Sequence, residues 1–452
     1  MKIMKNKQKL LTGAPGRTLF FFALPMIIGN LFQQFYNMAD SVIVGRFVGE
    51  NALAAVGASY AFTNVFIMIA IGGGIGASVL TSQYLGAGKY QEMKSSINTF
   101  LITFAVLSTL LACFGFLCNP MVMTALKTPD NIYADAVLYL QIYFIGLPFM
   151  FMYNILASNF NALGKSGIPL ALLIFSSLLN IVLDLFMVTV LNMGVAGVAI
   201  ATVIAQGISA TISFCILRRL LRTYPHEGKP ELFNPGMFKN GTRVAIPSIV
   251  QQSIVSIGML LTQSAVNQFG SSALAGYSAG MRLESLAIVP MIATGNAVST
   301  FTAQNLGAGQ IDRIKQGYRN SYGIILAFGA AILLAGQIFY NPIISIFVDA
   351  ENSRVAFDTG VSYLRFLSCF ISILGFKAIT DGVFRGSGDV NVYMAANLLN
   401  LSIRVLVAQL CSPIFGIEVI WYAVPMGWSA NFIVSWLWYR TGNWQKKSLL
   451  KN

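Results

Sequence analysis

Long apolar runs alternate with short polar gaps along the whole chain, and this pattern constrains the fold more than any other feature. The runs cover residues 18–44, 53–82, 96–118, 133–160, 168–190 and 195–217, and then 244–268, 273–303, 319–340, 360–384, 391–413 and 416–439. Each run is long enough to cross a hydrocarbon core of about 30 Å as an α-helix. The sequence therefore predicts an all-α polytopic membrane protein with twelve transmembrane helices.

The composition supports a location in the lipid bilayer. Only 10% of the residues are charged and 56% are hydrophobic, whereas a soluble domain carries about 25% charged residues. The formal net charge of +13 could indicate binding to a nucleic acid, because nucleic-acid-binding proteins are often strongly basic. Here, however, most Lys and Arg residues lie in the gaps between apolar runs, and no nucleic-acid-binding motif is visible. We therefore expect a lipid bilayer as the partner, and no nucleic acid.

The distribution of positive charge predicts the orientation of the chain. With the N-terminus inside, only Arg46, Lys127 and Arg354 of the Lys and Arg residues between predicted helices fall on the outer side. This asymmetry follows the positive-inside rule and requires an even number of helices. We expect a multi-pass protein of the inner or plasma membrane with both termini in the cytoplasm. The first apolar run is predicted to be an uncleaved span, since it is too long for a signal peptide.

The two halves of the chain repeat each other. Gln83–Gly88 (Gln-Tyr-Leu-Gly-Ala-Gly) recurs as Gln304–Gly309 (Gln-Asn-Leu-Gly-Ala-Gly), at an offset of 304 − 83 = 221, and Pro25 recurs as Pro247. Six helices per repeat give both repeats the same orientation, so their pseudo-twofold axis should run along the membrane normal. We predict an N-terminal six-helix lobe (1–217), a cytoplasmic linker (218–243), a C-terminal six-helix lobe (244–440) and a cytoplasmic tail (441–452).

Two aspartates inside apolar runs of the first half suggest an ion-binding site. A charge at the bilayer centre costs roughly 2.5–3.5 kcal/mol, yet Asp40 and Asp184 lie toward the outer ends of predicted helices one and five. Two carboxylates in one poorly hydrated cavity cannot both ionise cheaply, so one takes a proton or a cation lies between them. Asn180, one helical turn before Asp184, and Thr202 offer further oxygens. The alternative interpretation is that each aspartate pins neighbouring backbone at a helix end.

Several motifs of the chain resemble those of the MATE (multidrug and toxic compound extrusion) family. They are Ala23-Leu-Pro-Met, Gln33-Gln-Phe-Tyr-Asn-Met-Ala-Asp40, Asn180-Ile-Val-Leu-Asp184, Gly194-Val-Ala-Gly197 and the paired Leu-Gly-Ala-Gly motifs. The resemblance covers nearly the whole chain. It implies two six-helix lobes in a V shape, a monomer, and export of organic cations in exchange for protons or sodium.

The same resemblance implies roles for individual residues. It identifies Asp40, Asn180, Asp184 and Thr202 with the family's cation site in the N-terminal lobe. Gln33 and Tyr36 share a face of helix one near Asp40, and Tyr139 lies in helix four, where aromatic rings suit lipophilic cations through cation–π contacts. For most other aromatic residues of the chain, contact with lipid or core is the better interpretation.

The second half departs from the first at the matching position. The fifth-helix motif recurs as Asn400-Leu-Ser-Ile-Arg404, which places an arginine where Asp184 stands. Predicted helix seven carries no acid, although some MATE relatives have a coupling glutamate there. Candidate substitutes are Glu284 and Asp381. For Glu284 we favour a structural ion pair, and three basic residues are candidates for its partner: Arg282, Lys377 and Arg404. The predicted substrate cavity comprises Gln33, Tyr36, Tyr139, Glu284 and Arg404.

The sequence offers little for enzymatic or cofactor chemistry. His226 is the only histidine, and no two of the five cysteines form a Cys-x-x-Cys pair. No Walker motif is present, and the glycines at 72–74 and 76 lie inside an apolar span, where close helix packing or a flexible bend is the better explanation. We therefore expect no enzyme, no cofactor and no metal beyond Na⁺ at the coupling site. The energy source is then an ion gradient.

The sequence thus predicts a secondary antiporter that exports organic cations by alternating access, with H⁺ or Na⁺ as coupling ion. The main alternative is a flippase for lipid-linked oligosaccharides or cell-wall precursors on a related fold. A basic cavity that binds pyrophosphate would favour that alternative, and four residues could supply it: Arg282, Arg365, Lys377 and Arg404. A receptor or assembly factor explains neither the repeat nor the acids within the spans.

Overall fold

In the computed structural model of the chain, which describes residues 9–225, 228–348 and 353–450, the regular elements are all helical. Lys2, Lys5, Lys7, His226 and Lys451 lie outside the described residues. The α-helices are α1 (Lys9–Thr12), α2 (Pro15–Ile43), α3 (Glu50–Gly86), α4 (Tyr90–Ala125), α5 (Asp130–Ala162), α6 (Gly167–Leu185), α7 (Gly194–Leu221), α8 (Pro235–Asn267), α9 (Ser271–Ala287), α10 (Val289–Gly307), α11 (Ile311–Ile338), α12 (Tyr340–Ser345), α13 (Arg354–Ser387), α14 (Val390–Phe415) and α15 (Glu418–Thr441). The predicted all-α fold is confirmed.

The predicted spans correspond to helices of the structure. Eleven helices of the described ranges are long and apolar enough to cross a membrane, if α9 and α10 are counted as one continuous span. A break at Ile288 separates α9 from α10, because Pro290 lacks an amide donor and is accepted only in a first helical turn. The predicted span 416–439 lies on α15, which is helical over 24 residues but is not among the eleven. Its four tryptophans and two tyrosines lower its mean hydropathy relative to an aliphatic span. The chain is a multi-pass membrane protein.

The helices form two compact units. The boundaries between the units fall inside two helices and not in the loops between helices. One unit comprises residues 28–249, and the other comprises the residues up to Ile27 together with those from Val250 onward. The divisions fall within α2 and α8, two or three residues after Pro25 and Pro247, where each ring removes a backbone hydrogen bond. The first part of α2 therefore belongs with the second repeat, and the first part of α8 with the first. The lobe boundaries at 217 and 244 stay a prediction.

The segment that leads into α8 is attached to the start of α4. Lys94 Nζ donates hydrogen bonds to the carbonyls of Tyr224 (3.2 Å) and Pro225 (3.0 Å), although its ammonium is buried. The amide of Asn234 donates to Thr99 Oγ1 at 3.0 Å. These bonds satisfy linker carbonyls and amides that have no helical partner. The described part of the linker is thus fixed to its unit.

The segment that leads into α2 is attached in a comparable way to the second unit. The Arg313 Nη2 group donates to the carbonyls of Leu10 (3.1 Å) and Gly13 (2.8 Å). Arg313 Nε donates to Asn305 Oδ1, which belongs to the repeated Leu-Gly-Ala-Gly region. The leucine side chain at position 10 is buried. Both entry segments are therefore anchored by a basic side chain that binds main-chain carbonyls.

Glycines of α3 allow close packing in the first unit. A Cβ atom at Gly72 would lie 2.7 Å from backbone atoms of Ile249, and one at Gly76 would lie 2.6 Å from the carbonyl oxygen of Gly241. Such distances leave no room for a side chain, so α3 and the first part of α8 meet backbone to backbone. This confirms the packing role expected for the glycine cluster.

We predict that Gly76→Val destabilises the protein by about 2 kcal/mol, because the added carbons overpack the contact with α8. Gly57→Val is the matched control, since it lies in the same helix with no atom within 4 Å of a Cβ at that position. Thermal unfolding of both purified variants in the same detergent tests this expectation. Equal melting temperatures for the two variants would contradict it.

Candidate functional site

Two π-helical turns mark the C-terminal ends of α2 and α6. Val44–Val48 follows α2 and Phe186–Val190 follows α6. Asp40 lies one turn before the first of these segments, and Asp184 lies two residues before the second. A π turn is rare and often accompanies a functional site, because it leaves a helix locally free to change its hydrogen bonding. Within the described residues, the matching helices α8 and α14 end without a π turn.

The carboxyl groups of Asp40 and Asp184 lie near each other. Each is close enough to act electrostatically on the other. The side chain of Asp184 is completely buried, and neither of its oxygens receives a hydrogen bond from a described donor; Asp40 Oδ1 is in the same situation. Ionised carboxylates without donors are costly in such surroundings. A proton shared by the two groups, or a cation bound between them, removes this cost.

A chain of polar side chains extends from the acid pair across three helices. The Tyr36 hydroxyl of α2 donates to Asn180 Oδ1 of α6. Asn180 Nδ2 in turn donates to Thr202 Oγ1 of α7 at 3.4 Å, and the threonine hydroxyl donates to the Val198 carbonyl at 3.1 Å. The bonds orient each amide and hydroxyl, so the oxygens beside the acids have defined positions.

Aromatic residues of α5 complete the surroundings. Tyr139 interacts electrostatically with both aspartates. Tyr139 and Thr202 line a cavity of about 10 Å³, close to the size of one water molecule. Tyr143 and Gln206 also line this cavity, although neither is among the site residues predicted from the sequence. Each lies four residues after a predicted site residue, so helical spacing places it on the same face.

Gln33 differs from the other predicted residues of the first unit. Its amide donates to Asn37 Oδ1 at 3.1 Å, one turn further along α2. This bond ties the side chain to its own helix. The Tyr36 hydroxyl, by contrast, reaches α6 and connects directly to the polar chain that ends at Thr202.

In the second unit, Glu284 lies in a separate buried cluster. Its Oε2 accepts a hydrogen bond from the Tyr363 hydroxyl at 2.5 Å, and Arg404 is the basic side chain that acts on it electrostatically. Lys377 instead forms a buried ion pair with Asp381 at 2.9 Å. Arg282 is exposed. Among the described residues, no ion pair joins Glu284 to any of the three cations proposed as its partner.

Long apolar helices that carry an acid pair with few hydrogen-bond donors are typical of membrane transport proteins. The sequence profile of the MatE family matches residues 25–186 and 247–410, one segment in each repeat. The chain belongs to the MatE family, which confirms the resemblance noted in the sequence.

Relatives with known names agree with this assignment. The chain is 29% identical over 435 residues to "Probable multidrug resistance protein YpnP" of Bacillus subtilis, with 96% of each chain covered. It is 24% identical to the "FAD transporter" of Shewanella oneidensis, with 94% of each covered. Among solved structures, a MOP superfamily transporter from Pyrococcus furiosus superposes with a TM-score of 0.89 at 24% identity, over 98% of this chain and 99% of that one. The structural likeness shows a shared fold.

We predict that Asp184→Asn stabilises the protein by about 1 kcal/mol at neutral pH, because the amide can donate a hydrogen bond to Asp40 and carries no charge. Asp381→Asn is the matched comparison, in a buried acid that has a cationic partner. This change leaves Lys377 unpaired and should cost about 3 kcal/mol. Melting temperatures of the two purified variants test the contrast. Equal destabilisation by both changes would show that Asp184 serves the structure alone.

Proposed function

We propose that the chain is a secondary antiporter of the plasma membrane that exports organic cations in exchange for H⁺ or Na⁺. The proposal includes cytoplasmic termini and a monomeric protein. The observation that carries it is the pair of Asp40 and Asp184, because three of its four carboxyl oxygens are buried without a hydrogen-bond donor. A site of this kind favours the binding of a positive ion over its own ionised form. Multidrug resistance proteins among the relatives support a small-molecule cargo.

The coupling follows from the charge of the acid pair. Without a bound ion, the pair is negative and attracts an organic cation, whose ring systems can stack on Tyr36 and Tyr139. Once a proton or Na⁺ is bound, the negative charge is neutralised and the affinity for the cargo falls. The two cations therefore exclude one another, and exchange across alternating access drives export against a gradient.

The bound ion also acts on helix geometry in this mechanism. Asp40 and Tyr36 belong to α2, while Asp184 and Asn180 belong to α6. An ion or proton held between the acids fixes the outer ends of these helices together, and its release lets them separate. The π-helical turns that follow both acids can absorb the movement by a change of hydrogen-bond register.

We predict that Asp40→Asn lowers gradient-driven transport at least tenfold, because one carboxylate can no longer take up the coupling ion. The measurement uses purified protein in liposomes and follows uptake of a fluorescent organic cation under an imposed proton or sodium gradient. Asp312→Asn is the control, since this aspartate is fully exposed at the start of α11. Unchanged coupled transport by the Asp40→Asn variant would contradict the antiporter mechanism.

A carrier of anionic cargo, including a flippase for lipid-linked pyrophosphates, is the second candidate. Arg404 favours it, because its Nε is buried without a hydrogen-bond partner. The "FAD transporter" among the relatives adds support for a phosphate-bearing cargo. The other basic residues weigh against it, since Lys377 is paired with Asp381 and Arg365 is exposed and bound to Gln337 at 3.1 Å.

The two candidates differ in which variant stops transport. For an anion carrier, we expect FAD or a lipid-linked pyrophosphate to cross liposome membranes in a manner that Arg404→Met abolishes and Asp40→Asn leaves intact. For the cation antiporter, we expect the reverse pattern with an organic cation. Parallel assays of both variants with both cargoes distinguish them.

A further inference from the structure

Arg365 is an exposed charge inside an apolar span of the second unit. It lies in α13, within the predicted span 360–384, and its side chain is exposed. The neighbouring helix α11 ends in a surface of exposed apolar side chains, because Leu334, Ile338 and Phe339 are each more than half exposed. Such a surface contacts lipid in a membrane protein. A guanidinium beside it needs a polar or anionic partner.

Two helices place Arg365 at the same depth, at one boundary of the hydrocarbon core. From Arg365 to the end of α13 at Ser387 there are 387 − 365 = 22 residues, or about 33 Å of helix. On α11, the uncharged stretch from Arg319 to Gln337 covers 337 − 319 = 18 residues, or about 27 Å. Both lengths match a hydrocarbon core of about 30 Å. Arg365 and Gln337 therefore lie at the level of the lipid headgroups.

Aromatic side chains support this depth. The Tyr340 ring of α12 lies 5.0 Å from the guanidinium carbon of Arg365, measured to the ring centroid. Tyr422 of α15 is 40% exposed, and its ring packs on Phe366, the residue next to Arg365, with centroids 4.6 Å apart. Tyrosine is enriched where the lipid chains meet the headgroups.

Gln337 fixes the orientation of the guanidinium. Arg365 Nε donates a hydrogen bond to Gln337 Oε1 at 3.1 Å, and Gln337 Nε2 donates to the Arg365 carbonyl at 2.7 Å. This uses one of the five N–H groups of the guanidinium. The four N–H groups on Nη1 and Nη2 donate to no described residue, and no described carboxylate forms an ion pair with Arg365. The exposed part of the side chain is thus a preset group of donors without an acceptor.

We propose that Arg365, Gln337 and Tyr340 form a binding site for the phosphate group of a membrane phospholipid. The planar guanidinium can donate in parallel to two oxygens of a phosphodiester. Gln337 holds it in place for this contact, and the acyl chains lie along the exposed apolar surface of α11. The site uses none of the residues assigned to ion coupling and does not depend on the proposed transport reaction.

The test compares lipid binding by wild type and by Arg365→Leu. Palmitoyl-oleoyl-phosphatidylglycerol is added to the delipidated full-length protein in detergent, and native mass spectrometry gives the dissociation constant of the tightest site. We expect Arg365→Leu to bind the lipid about tenfold more weakly, because the charge-assisted hydrogen bonds to the phosphate are lost. Equal dissociation constants for wild type and this variant would overturn the proposal.

Arg354→Leu is the matched control. Arg354 is an exposed arginine of the same helix, and its charge is already paired with Asp358 at 3.2 Å. We expect this change to weaken lipid binding by less than about twofold, because an exposed ion pair contributes little. A loss as large as that of Arg365→Leu would show a general effect of surface charge and would contradict a specific site.

Two further ligands separate a phospholipid from other sources of the same contacts. Diacylglycerol with the same acyl chains lacks the phosphate, and inorganic phosphate lacks the chains. At equal concentration, we expect neither to displace phosphatidylglycerol from the wild-type protein. Displacement by inorganic phosphate would assign the site to a free anion, and displacement by diacylglycerol would assign it to apolar surface alone. Either result would refute the phospholipid site.

A second variant serves if Arg365→Leu cannot be purified. Arg365→Gln keeps a polar side chain at the same exposed position and removes only the charge and the planar group of donors. We expect the same loss of affinity, about tenfold, for the same reason. Binding as tight as that of wild type would again count against the proposal.

Discussion

The approach of half-buried Asp40 to buried Asp184 is the constraint to which the rest of the first unit responds. The two carboxyl groups meet inside apolar helices, and three of their four oxygens lack a donor. The neighbouring side chains could have supplied donors, yet Asn180 directs its amide group to Thr202 and its oxygen to Tyr36. The arrangement keeps oxygens, and not donors, next to the acids. The carboxyl groups without donors lower the stability of the folded protein, and the same arrangement suits a site that binds positive ions.

The two repeats show how one helical framework supports two different electrostatic solutions. The first repeat has an acid pair, π-helical turns and a chain of hydrogen bonds across three helices. The second has a closed ion pair of Lys377 with Asp381 and a hydrogen bond from Tyr363 to Glu284. A closed pair needs no partner from solution. In the proposed mechanism, ion coupling therefore depends on local side chains and not on the repeated fold.

Much of the fold and part of the site could be predicted from the sequence, because both depend on local patterns. Apolar length predicts the spans, and the spacing of Asn180 and Asp184 predicts a shared helix face. The bond between Tyr363 and Glu284 joins residues 79 positions apart, so no local pattern indicates it. The π-helical turns have no sequence signature either. The pair of Lys377 and Asp381 is a different case, since their four-residue spacing on one helix is a local pattern that favours an ion pair.

The division of α2 and α8 between the two units has a consequence for biogenesis. The first unit includes residues 235–249, which leave the ribosome only after all six helices of the first repeat. Until then, the contacts of Gly72 and Gly76 with α8 cannot form. The second unit, in turn, includes residues 9–27, which precede the first repeat's other helices in the sequence. Each unit is thus completed by a segment from outside its own repeat.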